Sequence, residues 1–374
     1  MFLPAGSQDE TGIQISNRLR AAESFRLVTK KRNFKTISTP VVEYANTFTN
    51  QMAGMDLHSM LKWFSGEGEI EVLRPDWTAA IARAIAGQHP SEQKWSYQGS
   101  VFRFDKDETE NRQAGIEIVH ADRFLGEAES LLTAIAYLKN LTIDAYVIEL
   151  GHTGIFDAIV GPYHFEEKQE LALLNAMHDK RSDLVEEIVK QAGHSALAEP
   201  LVALIDAYGS REIINTYRER WNNHQDLLAI LNHIEKLMDL LEAAGVTEVI
   251  VDLGRVKNLP YYDGIMFRGF LTNDGSTCFS GGRYDRLYEQ FQQSTSAVGL
   301  AFDVDTLAKH MDAEQEPEKI CILATPATHA VAEQFRMDME EQVVDIQYEL
   351  KSDANYQKIY QVVEEDSQYK VVEK

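Results

Sequence analysis

Five short segments carry side chains of the types that build an amino-acid pocket. Asp76 and Thr78 lie in Leu73-Arg74-Pro75-Asp76-Trp77-Thr78, Arg103 in Phe102-Arg103, and Gln113 and Glu117 in Gln113-Ala114-Gly115-Ile116-Glu117. Tyr261 and Tyr262 follow Leu259-Pro260, and Tyr284 lies in Gly281-Gly282-Arg283-Tyr284-Asp285. Carboxylates hold an ammonium group, a guanidinium holds a carboxylate through two parallel hydrogen bonds, and tyrosines frame a flat polar side chain. There is no P-loop, no HExxH helix and no GxSxG elbow. Cys278 and Cys321 lack the CxxC spacing of a metal site, and the 11 histidines form no ligand-like cluster. Spacing therefore points to a pocket without metal or cofactor, and to no particular reaction.

Each group also has a plainer use. Asp76 and Thr78 precede an expected helix at Ala79–Arg83, where short polar side chains cap N-termini. Arg103 could form a surface ion pair. Gln113 and Glu117, four apart on a strand, share one face, which could be solvated or could line a pocket. Tyr261 and Tyr262 would point to opposite faces of a strand unless the chain turns at Pro260, and could be core or interface aromatics. Gly281-Gly282 could be a turn or could admit a close backbone approach.

The elements that must position these groups are read from periodicity. Ile15, Leu19, Ala22, Phe25 and Val28 mark one face of a helix from about Ile13 to Lys31. Thr36–Glu43 is β-branched but interrupted by Pro40, which suits an edge strand or an interface segment. Glu69–Leu73, Trp95–Phe104, Ile116–Val119 and Ala145–Leu150 read as strands, and Ala128–Leu138 as a helix. Residues from about 162 to 244 read as helical throughout; Leu227, Leu228, Leu231, Ile234, Met238 and Leu241 mark one helix. Strands return near Val249–Val251, Ile265–Phe267 and Val298–Leu300. Asp312–Glu318 reads as a charged linker between a core of residues 1–311 and a tail of residues 319–374. The tail's expected order is strand (Ile320–Ala324), helix (His329–Glu341), strand (Val344–Leu350), helix (Tyr356–Glu364) and strand (Tyr369–Val372), a small βαβ-type unit.

The 374 residues are 44% hydrophobic and 25% charged, which suits a soluble globular chain of two or three domains. The 36 Lys and Arg against 59 Asp and Glu leave a net charge of −23, which repels phosphodiester backbones and argues against nucleic acid. Two isolated cysteines suit a reducing, cytoplasmic setting. No signal peptide and no membrane span are expected.

Taken in order, the segments resemble histidyl-tRNA synthetase, a class II synthetase, over about Met1–Leu307. Thr39–Glu43 is similar to the first class II motif, which lies at that family's dimer interface. Phe102-Arg103 and Gln113–Glu117 are similar to the ends of the second, and Gly299–Leu307 to the third. Leu73–Thr78, Lys257–Tyr262 and Gly281–Asp285 are similar to segments peculiar to the histidine-specific enzyme. The resemblance implies an α+β fold: a class II aminoacyl-tRNA synthetase-like antiparallel sheet flanked by helices, with a helical insertion (about 162–244) and a small C-terminal α/β unit.

The departures fall on the nucleotide side. Lys257 stands where the synthetase has an arginine, and keeps the charge without the bidentate fork. Asp305-Thr306-Leu307 replaces Glu-Arg-Leu, so Thr306 has no charge for ATP. Between Arg103 and Gln113, Asp105, Asp107, Glu108 and Glu110 outnumber Lys106 and Arg112, which opposes desolvated phosphates. Trp77 stands at a position that is glycine in the synthetase and would crowd the space beside it. The tail of roughly 55 residues is shorter than the synthetase's anticodon-binding domain and is acidic.

This pattern resembles the regulatory subunits of ATP phosphoribosyltransferase, over nearly the whole chain. That resemblance implies a non-catalytic, cytoplasmic protein in histidine biosynthesis that forms a hetero-octamer with a short-form catalytic subunit, self-associates as a class II-type dimer, and mediates histidine feedback. It binds no tRNA and no membrane on this reading. Asp76 and Glu117 would hold the α-ammonium of L-histidine, Arg103 its carboxylate, and Tyr261, Tyr262 and Gln113 its side chain; Thr78, Lys257 and Tyr284 complete the set. The competing readings are a divergent histidyl-tRNA synthetase-like amino-acid-activating enzyme and a purely structural interaction protein.

Overall fold

Ala114, Ile116 and Ile118 alternate with Gly115, Glu117 and Val119 along one strand, and this alternation separates core from site. The first set packs under helices; the second faces the other side of the sheet, where apolar packing is interrupted by polar groups. In the computed structural model, residues 2–86, 93–104, 108–257, 260–313, 318–339, 342–350, 355–365 and 368–374 are described. The chain divides into two units, Met1–Asp312 and Ala313–Lys374. Parts of the readings for the acidic loop (105–107), the 257–262 segment (258–259), the linker (314–317) and the tail (340–341, 351–354, 366–367) fall outside the described residues.

The strands of the first unit are β1 (Lys35–Thr36), β2 (Val42–Tyr44), β3 (Lys62–Phe64), β4 (Ile70–Leu73), β5 (Gln93–Phe102), β6 (Glu110–Val119), β7 (Tyr146–His152), β8 (Tyr208–Gly209), β9 (Val249–Asp252), β10 (Ile265–Leu271), β11 (Thr277–Arg283) and β12 (Ala297–Asp303). Nine of them form one sheet in the order β1-β5-β6-β12-β11-β10-β7-β9-β8. Pairing is antiparallel through its centre, and parallel between β1 and β5 and between β7 and β9, so the sheet is mixed where an antiparallel one is expected. A second sheet, β2-β4-β3, takes the other half of the Thr36–Glu43 run. Pro40 supplies no N–H, and pairing changes from one sheet to the other across it.

The helices are α1 (Ile13–Lys31), α2 (Asn46–Thr49), α3 (Thr78–Ala86), α4 (Arg123–Asn140), α5 (Gly154–Val160), α6 (Glu167–His178), α7 (Ser182–Gln191), α8 (Ala198–Ile205), α9 (Arg211–Arg220), α10 (Gln225–Ala243) and α11 (Val304–His310). Phe25 of α1 and Tyr137 of α4 meet Phe302 of β12 edge-on, with ring centroids 6.0 and 4.7 Å away, and anchor the helical layer on the sheet. The 162–244 stretch is helical except for β8, whose two residues extend the sheet beside β9. α10 presents the expected apolar stripe, with Leu227, Leu231, Ile234, Met238 and Leu241 buried. Gly281-Gly282 lies inside β11 and forms no turn.

In the second unit, β13 (Lys319–Leu323), α12 (His329–Met337), β14 (Val343–Gln347), β15 (Lys358–Glu365) and β16 (Gln368–Glu373) form a four-stranded sheet, β14-β13-β15-β16, with one helix. The helix expected at Tyr356–Glu364 is strand β15. Tyr360 and Val362 share the face that packs with Phe335 and Ile322, and β15 pairs in parallel with β13 and antiparallel with β16. β-Branched and aromatic side chains at alternate positions suit a pleated surface better than a helix.

Candidate functional site

A cavity of about 330 Å³ opens on the Glu117 face of the sheet, over β5, β6, β12 and β11. One wall is the Asp76–Thr78 entry to α3 and another is the Tyr261-Tyr262 turn. Asp76, Thr78, Arg103, Gln113, Tyr261, Tyr262 and Tyr284 all line it. Glu117 lies beneath them, 1% exposed. Lys257 is half-buried and is not among the described lining residues, so the structure does not bring it to the cavity with the others.

Glu117 is held from two sides. Thr78 donates its hydroxyl to Oε1 at 2.7 Å, and the Tyr284 hydroxyl donates to Oε2. Burial pushes the Glu117 carboxyl up to about 8; these two bonds oppose the shift, and the nearby Asp76 charge adds to it. Room for Glu117 comes from Gly299, its partner across β6 and β12, because any Cβ there would overlap Oε2. Gly115 makes similar room for Tyr97, whose hydroxyl occupies the space a side chain would need.

Asp76 has both of its uses at once. Its Oδ1 accepts the Ala79 N–H at 2.9 Å at the start of α3, and its carboxyl lines the cavity. Burial raises its pKa, against the pull of Arg103. Arg103 donates Nε to the Pro75 carbonyl at 2.7 Å and, among the described residues, ion-pairs with no carboxylate within 4.0 Å. Its Nη groups are thus available to an anion. Gln113 shares the cavity-facing side of β6 with Glu117. Tyr261 and Tyr262 lie in a turn, not a strand, which brings both rings to the cavity with centroids 5.0 Å apart. Asp263 next to them accepts the backbone N–H groups of Asp285 and Arg286 at 3.1 and 3.2 Å, tying this turn to Tyr284.

The structure adds Tyr97, Asn111, Thr277, Ser280 and Asp303 to the lining. Gly115 was a readable sign of Tyr97, since it sits opposite it on β6. Nothing local marked the others. Trp77 fills the space behind Tyr97: the rings stack at 4.8 Å, and the Arg74 guanidinium lies 3.4 Å from the indole. Arg74 in turn donates to the carbonyls of Thr39 and Ser100 at 2.9 and 3.0 Å.

Among the described residues, cations are scarce where a nucleotide would lie in the synthetase. Thr306 does not line the cavity; its N–H is capped by Asp303 Oδ1 at 2.8 Å. Arg112 is held by Glu10 at 3.2 Å, and its backbone N–H donates to Asp305 at 2.8 Å. Arg255 and Arg268 both bond Glu149 Oε1 at 2.6 Å. Arg103 is therefore the one lysine or arginine in the described lining, against Asp76 and Asp303. Among the described residues no group of three His, Cys, Asp or Glu could hold a metal ion, and no helix is long and apolar enough to cross a membrane.

The histidyl-tRNA synthetase family pattern matches residues 8–307. ATP phosphoribosyltransferase regulatory subunits of Bacillus cereus and Bacillus thuringiensis are each 30% identical to the chain over 332 residues, 84% of this chain and 77% of theirs. A crystal structure described as an ATP phosphoribosyltransferase regulatory subunit/histidyl-tRNA synthetase from Bacillus halodurans C superposes with a TM-score of 0.84 at 24% identity, covering 96% of this chain and 97% of that one. Histidyl-tRNA synthetase from Nostoc sp. PCC 7120 superposes with a TM-score of 0.76 at 16% identity, covering 94% and 87%. These two structures bear on the fold.

Proposed function

The chain belongs to the histidyl-tRNA synthetase-like family of ATP phosphoribosyltransferase regulatory subunits, and from that premise we propose that its cavity is a sensor site for L-histidine. It is a non-catalytic subunit in histidine biosynthesis, and its partner is the catalytic ATP phosphoribosyltransferase subunit. The proposed partner is the short form, in a cytoplasmic hetero-octamer. One observation carries the ligand reading: the described lining offers one free guanidinium and carboxylates, a set that matches a zwitterion and opposes a polyphosphate.

On this reading Asp76 and Glu117 hold the ammonium, Arg103 the carboxylate, and Tyr261, Tyr262 and Gln113 flank the ring. A sensor must bind two states of the complex with different affinity, since equal affinity shifts nothing. Self-association as a class II-type dimer is part of the proposal. The exposed Val42, Tyr44, Trp63 and Phe64 on the small β2-β4-β3 sheet support it. Loss of tRNA binding is part of the proposal, and the acidic charge of the chain supports it.

Titration calorimetry with L-histidine at millimolar concentration, on the isolated subunit and on the complex with its catalytic partner, tests the sensor. Heat of binding in either is expected. Absence of heat in both would remove the ligand and leave an activating scaffold. Pyrophosphate exchange dependent on ATP and histidine is expected to be absent; its presence would favour a divergent activating enzyme.

A further inference from the structure

Arg283 immediately precedes Tyr284, the residue whose hydroxyl holds Glu117. On the opposite side of β11 from that hydroxyl's cavity, Arg283 is 2% exposed and fully engaged. It donates Nε to Glu127 Oε1 at 2.7 Å, Nη1 to Asp285 Oδ1 at 3.0 Å and Nη2 to the Arg123 carbonyl at 2.9 Å. Glu127, in α4, is equally buried, and its second oxygen lies 2.6 Å from Nε2 of His233. Burial alone would raise Glu127, but the His233 bond and the Arg283 charge outweigh it and hold the carboxyl below its usual range. An ionised carboxylate only accepts, so His233 Nε2 is the donor.

His233 belongs to α10, in the helical block. Its ring packs edge-on between Phe124 and His152, each with centroids 6.3 Å away, which fixes its orientation. A continuous run of bonded side chains and one peptide step therefore joins Glu117, beneath the cavity, to α10. Arg283 and His233 each hold one oxygen of the same Glu127 carboxylate, so a displacement of Arg283 is passed to the group that His233 holds.

We propose that Arg283, Glu127 and His233 couple the state of the Glu117–Tyr284 pair to the position of α10, making His233 a positioning residue for the cavity and the helical block its responding element. The coupling itself needs no particular ligand; only its driving by L-histidine rests on the sensor reading. A hydrogen-bond donor such as an ammonium that enters beside Glu117 competes with the Tyr284 hydroxyl for the Glu117 carboxylate. That shifts Tyr284 and the Arg283 backbone with it, and the rigid Arg283–Glu127–His233 bonds carry the shift to α10.

A double-mutant cycle on the ligand-free full chain tests the coupling. Tyr284→Phe removes the hydroxyl at Glu117, and His233→Ala removes the donor on α10 while leaving Glu127 paired with Arg283. The readout is hydrogen exchange of the α10 amides near Leu231–Lys236. Tyr284→Phe is expected to speed exchange there at least threefold in the wild-type background and to have no further effect once His233→Ala is present. His233→Gln, which restores an N–H donor, is expected to restore the response. Additive effects, or an unchanged α10 in Tyr284→Phe, would overturn the proposal.

L-Histidine gives the second arm. In wild type it is expected to alter α10 exchange, and in His233→Ala to bind by calorimetry without that alteration. Binding with an unaltered wild-type α10 would refute the coupling. Absence of binding would refute the sensor reading alone, and the ligand-free cycle would then decide the coupling.

Discussion

Glu117→Gln separates the charge of Glu117 from its size. The carboxyl is buried and pushed up to about 8 from an ordinary 4.5, chiefly by loss of water. Between those values the folded chain binds a proton there that the unfolded chain has released. Stability contributed by this group therefore falls as pH rises from about 4.5 to about 8, and is fully lost above. At about 1.4 kcal/mol per pKa unit the whole window is on the order of a few kcal/mol, discounted for the coupling to Asp76. An ammonium ligand pulls the other way. At pH 7 only about a tenth of Glu117 is ionised, so a ligand that needs the anion pays about tenfold in affinity and releases close to one proton.

Two assays read these opposite slopes. Thermal unfolding from pH 5 to 9 should show wild type losing stability toward alkaline pH relative to Glu117→Gln, whose amide does not titrate. The difference between the curves isolates Glu117 from Asp76 and Asp263, which also titrate under burial. Calorimetry of L-histidine in buffers of different ionisation enthalpy should show proton release in wild type that the variant lacks, over the ligand's own titration. Parallel unfolding curves for the two proteins would refute a buried neutral Glu117, whatever the ligand does.

Gly299→Ala should push Glu117 off its seat, costing about 1–3 kcal/mol by overpacking in urea unfolding and at least about tenfold in histidine affinity by calorimetry. Arg103→Ala should weaken L-histidine by about 1.5–3 kcal/mol, the worth of hydrogen bonds to a charged group, and leave histamine, which has no carboxylate, unaffected; equal losses for both ligands would place the carboxylate elsewhere. Glu149→Gln should destabilise by about 1–3 kcal/mol in urea unfolding, because it takes the shared buried carboxylate from the half-buried Arg255 and Arg268; burial already lowers Arg255 to about 10.

The site was more legible than the tail. Gln113 and Glu117 are placed by strand alternation, because period two puts residues four apart on one face whatever the rest of the fold does. Pro260 gave the condition under which Tyr261 and Tyr262 could both face a ligand, and the turn meets it. The double glycine was ambiguous because a strand glycine and a turn glycine read alike; only the neighbour across the sheet shows which space it leaves open. Lys257 was assigned by likeness of position, and position along the chain does not fix which side chain reaches a cavity. Tyr356–Glu364 misled for a different reason. Its apolar residues fit a helical stripe as well as a strand, and the pairing with β13 and β16 that decides between them is nonlocal.

On the proposed reading, the side of the site opposed to a nucleotide differs by more than missing arginines. Three arginines near the site are drawn into carboxylates: Arg112 by Glu10 and Asp305, and Arg255 and Arg268 by Glu149. Asp303, which lines the cavity, also caps Thr306 at the start of α11, so the charge that repels phosphate is built into the fold of that helix. Restoring arginine at position 306 alone would then place a guanidinium beside the carboxylate that caps its own helix, where the two would pair first. Recovering nucleotide binding would require removing carboxylates as well as adding arginines. The amino-acid half faces no such conflict. Glu117, Thr78 and Tyr284 hold one another, and Arg103 spends Nε on a backbone carbonyl and ion-pairs with no carboxylate among the described residues.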